Sequence, residues 1–164
     1  MKPESVEGKT EARAGGSPVN VCFGCGEAND AGMHLPFERD EAAQRVRGSF
    51  RLGARYQGAP GMIHGGIIAL VLDEALGKVC RFHDVRAVTA ELTVEYLRPI
   101  KVDQEIRVEA FHVERKERNL FHEGEIRDAQ GRMLARGRGR FVAVDPETYR
   151  RVTGIGLPDV PRRA

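Results

Sequence analysis

One stretch of the chain is apolar on nearly every side. From Ile67 the run Ile67, Ile68, Ala69, Leu70, Val71 and Leu72 continues past Asp73 and Glu74 to Ala75 and Leu76, and little polar surface appears before Lys78. Gly58, Pro60 and Gly61 make a loop just before it, so a helix is predicted over roughly Gly65 to Phe82. A helix that is apolar almost all round must be buried, wrapped by other elements. Downstream the period changes to two. Val88, Ala90, Leu92, Val94 and Tyr96 alternate with Thr89, Glu91, Thr93 and Glu95, and Arg98-Pro99 ends that strand. Gln104–Glu114, Asn119–Arg127 and Arg132–Val144 read as three more strands, the last two joined by a turn at Asp128–Gly131. Upstream, His34–Arg39 and Gln44–Leu52 flank the polar turn Asp40-Glu41-Ala42, with Val46, Gly48 and Phe50 on one face. Two strands, a buried helix and then an antiparallel meander of four strands define an α+β architecture. Asp145 as N-cap and Pro146 at the first helical position start a short closing helix.

Composition narrows the class. The 164 residues fit one domain, with 30% charged residues, 6% aromatics and a net charge of +2. That charge is too small to argue for nucleic acid, and no apolar run approaches the ~18 residues of a membrane span. Residues 1–19 are polar, lack an apolar h-region and read as a disordered tail, so no secretory signal is expected. The single domain is expected over 20–150 and a C-terminal tail over 151–164. Three cysteines in such a chain are expected to be reduced thiols in the cytoplasm.

Cys22-x-x-Cys25-Gly26 has the spacing of half a zinc knuckle. A closed site needs four ligands, the only neighbouring candidate is His34, and Cys80 is remote in sequence. The expectation is therefore a glycine-punctuated turn with no metal and no cofactor. Motifs for dinucleotides, P-loop phosphates and α/β-hydrolase nucleophiles are absent from the sequence.

The start of the buried helix is the place for chemistry. Its first backbone N–H groups have no intrahelical partner and face the positive end of the dipole. Gly65 and Gly66 let a substrate oxygen come close to those donors, which makes an oxyanion hole. Asp73 lies about 12 Å farther along the axis at a rise of ~1.5 Å per residue. If Gly65 and Asp73 serve one carbonyl, they must come from two helices, hence from two subunits related by a two-fold axis. His64 is read as bracing the loop rather than as a base, and Glu74 as a solvated helix charge. Arg136, Arg138 and Arg140 recur on one face of the last strand, opposite Gly137, Gly139 and Phe141. That row is either a solvated strand face or a contact for phosphates.

The pattern G-x-P-G-x-x-H-G-G-x(6)-D-E, followed by TAELTVEYLRP and DAQGRMLARGRGRF, resembles the hotdog-fold acyl-CoA thioesterases. The likeness is greatest to the PaaI-like branch of the 4-hydroxybenzoyl-CoA thioesterase superfamily, and the opening CFGCGEANDAGMHL is similar to its bacterial members. The resemblance spans about residues 22–143. It implies a long helix wrapped by a six-stranded antiparallel sheet, paired subunits and active sites between them. It also implies hydrolysis of an acyl- or aryl-CoA in a homodimer, or in a homotetramer built as a dimer of dimers. Residue by residue, Gly65 matches the glycine that polarises the thioester carbonyl and His64 the histidine that shapes its loop. Asp73 matches the carboxylate acting as base or nucleophile, and Thr89 a hydroxyl that helps hold the attacking water. Gly66, Gln57, Arg98 and Arg138 are the expected substrate contacts. Some members carry Asn or Gln where this chain has Gly58, with Gln57 beside it. Two other readings are a non-catalytic acyl-CoA-binding module and a dehydratase acting on acyl carrier protein.

Overall fold

The computed structural model describes residues 20–156. The expected N-terminal tail, 1–19, lies outside the described residues, as does the end of the expected C-terminal tail. The elements in order are β1 (Phe37–Asp40), β2 (Arg45–Arg51), α1 (Gly65–Val79), β3 (Ala87–Tyr96), β4 (Glu105–Lys116), β5 (Asn119–Asp128), β6 (Met133–Ala143) and α2 (Pro146–Thr153). Short 3₁₀ turns at Ala54–Tyr56 and Cys80–His83 complete them. All pairings are antiparallel in one sheet of order β1-β2-β4-β5-β6-β3. This is the α+β arrangement expected, with one correction: β3 does not neighbour β4 in a meander but crosses to the far edge, beside β6. The crossing segment is held to the Gly-Pro loop, where Ile63 N–H donates to Ile100 O at 2.8 Å and Val102 N–H to Gly61 O at 3.0 Å. Asp145 caps α2 as expected, accepting from Thr148 N–H at 2.8 Å, and that helix continues to Thr153, past residue 150.

Helix α1 is the core. Ile68, Val71, Leu72, Ala75, Leu76 and Val79 are buried along it and meet Val46, Ile106, Val108, Leu120, Ile126 and Phe141 from the sheet. Full burial of one such side chain stabilises by about 1.5–3 kcal/mol. The helix can lie close because Gly124 and Gly137 stand opposite each other on β5 and β6. A Cβ at Gly137 would meet Leu72 at 3.3 Å, and one at Gly124 would meet Leu76 at 3.3 Å. On the other side of β6, Arg136, Arg138 and Arg140 face away from the helix and pair with Glu95, Glu123 and Glu91.

Strand β3 departs from strict alternation. Its register with β6 slips between Thr89 and Glu91, so Ala90 is a β-bulge. Leu92 and Val94 pack on the core after the bulge, but before it Ala87 does, and Val88 is 48% exposed. The expectation that Val88 and Ala90 share a face with Leu92 is thereby corrected. The extra residue turns the start of the strand over.

Candidate active site

The bulge has a chemical consequence. With unbroken alternation Thr89 would point away from α1, together with Glu91 and Thr93. Turned over, its hydroxyl donates to Asp73 Oδ1 at 2.8 Å. Asp73 sits half-buried on the third turn of α1, and the strand fixes one of its two oxygens.

The start of the helix is built by His64. Its backbone is extended (φ −62°, ψ 135°) and its ring Nδ1 accepts from Gly66 N–H at 2.9 Å. Because Nδ1 is the acceptor, the ring proton of this neutral imidazole lies on Nε2. The His64 carbonyl accepts from Ile67 and Ile68 N–H at 3.0 and 3.2 Å. Of the four donors at the helix start, three are thus occupied. Gly65 N–H has no hydrogen-bond partner among the described residues. The oxyanion donor expected from Gly65 and Gly66 together narrows to Gly65, because the imidazole takes the other. Tyr96, at the far end of β3, fixes the same peptide region by donating its hydroxyl to Gly65 O at 3.0 Å.

The loop before the helix is a type II turn. Pro60 and Gly61 occupy its centre, Gly61 has φ +77°, and Met62 N–H donates to Ala59 O at 2.9 Å. Gln57 closes the loop by accepting from Gly61 N–H at 2.9 Å through Oε1, so its side chain is engaged in bracing. Beside the turn is an open cavity of about 380 Å³, lined by Met62, His64, Gly65, Tyr96, Leu97 and Arg98 among others. Arg98 is tied to Met133 O at 2.6 Å. Arg138 is not brought to this cavity. It lies on the outer sheet face, 3.0 Å from Glu123. Asp73 and Thr89 are also absent from the cavity lining. Within one chain the candidate groups therefore fall in two separate places: Gly65, His64 and Tyr96 at one end of β3, Asp73 and Thr89 at the other.

The profile of the thioesterase superfamily matches residues 60–135, the segment from the Gly-Pro turn into β6. Over this segment the chain is similar to that superfamily, and its six-stranded antiparallel sheet around a buried helix is the hotdog arrangement. The chain is 29% identical over 109 residues to the acyl-coenzyme A thioesterase THEM4 of Rattus norvegicus, covering 66% of this chain and 47% of that protein. The chain thus spans about half the length of the curated relatives it matches. A thioesterase superfamily protein of solved structure is 29% identical, with a TM-score of 0.71, over 76% of this chain and 62% of that one. A hypothetical thioesterase of Streptococcus pneumoniae, solved with coenzyme A, shares the fold at 19% identity and TM-score 0.61, over 67% of this chain and 85% of that one. Variants of that protein have also been solved with an aspartate or a threonine replaced by alanine.

Two clusters escaped the sequence reading of this thioesterase-like fold. Glu74 is not a solvated charge: Lys78 Nζ holds its Oε1 at 3.2 Å, and the Cys22 thiol lies 3.5 Å from its Oε2. At the other end of α1, His83, His112, His122 and Cys80 gather. His112 and His122 face each other through Nδ1 at 3.2 Å, and His122 Nε2 is 3.4 Å from Cys80 Sγ. Burial pushes the His122 imidazole down to about 3 and the Cys80 thiol up to about 12. No sequence signal links these four residues, because β4 and β5 supply two of them from opposite sides of a hairpin.

Proposed function

We propose that the protein hydrolyses an acyl- or aryl-CoA thioester to the free acid and CoA, at a site completed by two subunits. The observation that carries the reading is the placement of the two half-sites at opposite ends of one edge strand. β3 is long, lies at the sheet edge and exposes Val88 and Tyr96, with exposed Leu97 just past its end. Such an edge invites pairing. If two copies pair β3 against β3 about a two-fold axis, the beginning of one strand lies beside the end of the other. Thr89 and Asp73 of one subunit then approach Tyr96 and Gly65 of its partner. The distance along α1 that separates the groups within one chain becomes the reason for the dimer.

In this site the thioester oxygen accepts from Gly65 N–H, which is preorganised at the positive end of α1. Asp73 of the other subunit takes a proton from water as the water oxygen attacks the carbonyl carbon. Thr89 holds one carboxylate oxygen and leaves the second to the water. The tetrahedral oxyanion collapses, the C–S bond breaks and CoA leaves as its thiolate. Support for the Asp73–Thr89 pair comes from spacing: the aspartate and threonine replaced in the Streptococcus pneumoniae variants are separated by the same 16 residues. Arg98, at the cavity mouth, is the proposed partner of a CoA phosphate, with Arg138 a second contact from the outer face. The coenzyme A carried by the Streptococcus pneumoniae neighbour supports CoA over acyl carrier protein as the leaving group.

The test is thiol release from a panel of acyl- and aryl-CoA esters. Asp73→Asn is expected to lower kcat by roughly 10²–10⁴-fold while CoA still binds. Normal turnover by that variant contradicts the mechanism. Failure of the wild type on every ester favours the non-catalytic acyl-CoA-binding module.

A further inference from the structure

We propose that Cys22, Cys25 and Glu74 form a zinc site that clasps the N-terminal knuckle to helix α1. The knuckle alone offers two ligands, and the nearest candidate in sequence, His34, is turned away: its Nε2 lies 2.7 Å from Asn29 O. The third ligand comes from 52 residues downstream. The Sγ atoms of Cys22 and Cys25 and a carboxylate oxygen of Glu74 all lie within 4.8 Å of one another. Cys22 Sγ and Glu74 Oε2 are 3.5 Å apart. A tetrahedral S–Zn–O edge, with Zn–S about 2.3 Å and Zn–O about 2.1 Å, measures about 3.6 Å, so this pair already stands at coordination spacing. Two thiolates select a soft or borderline cation over calcium or magnesium.

The surroundings suit an ion rather than three unrelated side chains. Glu74 divides its oxygens, Oε2 toward the thiols and Oε1 toward Lys78 Nζ at 3.2 Å. That is the arrangement of a ligand carboxylate held by an outer partner. Asn20 Nδ2 points at Cys25 Sγ from 3.8 Å, an amide donor for a thiolate. The knuckle closes directly over the carboxylate: a Cβ on Gly24 would fall 2.4 Å from Glu74 Oε2. The charges also balance. Two thiolates and one carboxylate carry −3, the ion +2 and Lys78 +1. Binding turns two thiols into thiolates and releases their two protons to solvent. Cys22 is exposed, so water fills the fourth position.

The site is distinct from the proposed catalytic groups and does not depend on them. Its effect is to fasten the segment from Asn20 onward to the flank of α1, one residue from Asp73. The test uses the full chain, reduced and stripped with a chelator, then titrated with Co²⁺ and Zn²⁺. Expected are a thiolate-to-cobalt charge-transfer band that saturates at one ion per chain, its displacement by one equivalent of Zn²⁺, and release of about two protons per ion. Cys22→Ser is expected to abolish the band. Glu74→Gln, which keeps the size and shape of the side chain, is expected to weaken Zn²⁺ binding at least tenfold with an unchanged circular dichroism spectrum. Absence of the band in the wild type overturns the proposal, as does Zn²⁺ affinity unchanged by Glu74→Gln.

Discussion

At the scale of single residues the proposed chemistry rests on hydrogen bonds with few substitutes. Asp73 is oriented by the Thr89 hydroxyl. Thr89→Ser keeps that donor and is expected to retain most activity. Thr89→Val removes it at nearly constant volume and is expected to lower kcat about tenfold or more, with KM little changed, in steady-state thiol release. Equal kcat for the two variants contradicts the role. Gly65 offers a test of the backbone itself. It is the first helical residue, where proline is tolerated, and the extended His64 before it is a conformation that proline accepts. Gly65→Pro therefore deletes the unoccupied N–H at the helix start without breaking the helix. A loss of roughly 10²–10³-fold in kcat is expected, the cost of one oxyanion donor.

His83, His112 and His122 make a third prediction at this scale. Burial lowers all three, His112 also through His83, and Arg115 adds to the lowering at His83 and His112, while Asp84 and Glu114 oppose it. The ring of His83 carries a buried Nε2 with no partner among the described residues. The unfolded chain takes up protons on these rings near their ordinary value of 6.5. The folded chain does so only at lower pH, about 3 for His122. Above pH 6.5 the cluster is neutral in both states and its contribution is constant. As pH falls below that value, stability drops by up to about 1.4 kcal/mol per pH unit for each proton that only the unfolded state binds. Urea midpoints measured from about pH 7 to about pH 5, above the range where carboxylates add their own effect, should show this slope. His122→Leu should flatten it, and an unchanged slope in that variant contradicts the assignment.

At the scale of elements, α1 and β3 together position the groups of the proposed site. Helix α1 was legible from the apolar run Ile67–Leu72, and its glycine start from the sequence before it, because burial on all sides leaves no polar stripe. Strand β3 was legible as a strand but not in its phase. Alternation extrapolated from Leu92 and Val94 puts Thr89 on the wrong face, and nothing in TAELTV marks Ala90 as a bulge. The slip arises from pairing with β6, a non-local property. Glu74 was misread for a related reason: its neighbours Cys22 and Cys25 are far away in sequence. Thr89 could be singled out only through the resemblance to a family pattern, whereas Asp73 was already marked as a candidate by its place on the buried helix and received its role from that resemblance. Packing between elements yields a further test. Gly137→Val would drive a side chain into Leu72 under α1, and overpacking of this kind costs about 1–3 kcal/mol. A urea midpoint equal to that of the wild type contradicts the close approach of helix and sheet.

At the scale of the whole molecule, one chain holds the groups of the proposed site in two separate places. Gly65 with Tyr96 and Asp73 with Thr89 stand at opposite ends of the same exposed edge strand. Helix length argued from sequence that one carbonyl cannot touch both. The fold adds that a two-fold pairing of β3 would bring them together. The most direct measurement of this central claim is subunit complementation. Asp73→Asn and Gly65→Pro chains, each inactive alone, are mixed in equal amounts under conditions that exchange subunits. In a shared site the mixed dimer regains one intact pair, Gly65 from the first chain and Asp73 from the second. Random exchange then restores about a quarter of wild-type thiol release, since half the dimers are mixed and each has one good site. Activity that stays at the level of the separate variants, with exchange verified by mass, contradicts a site built from two subunits.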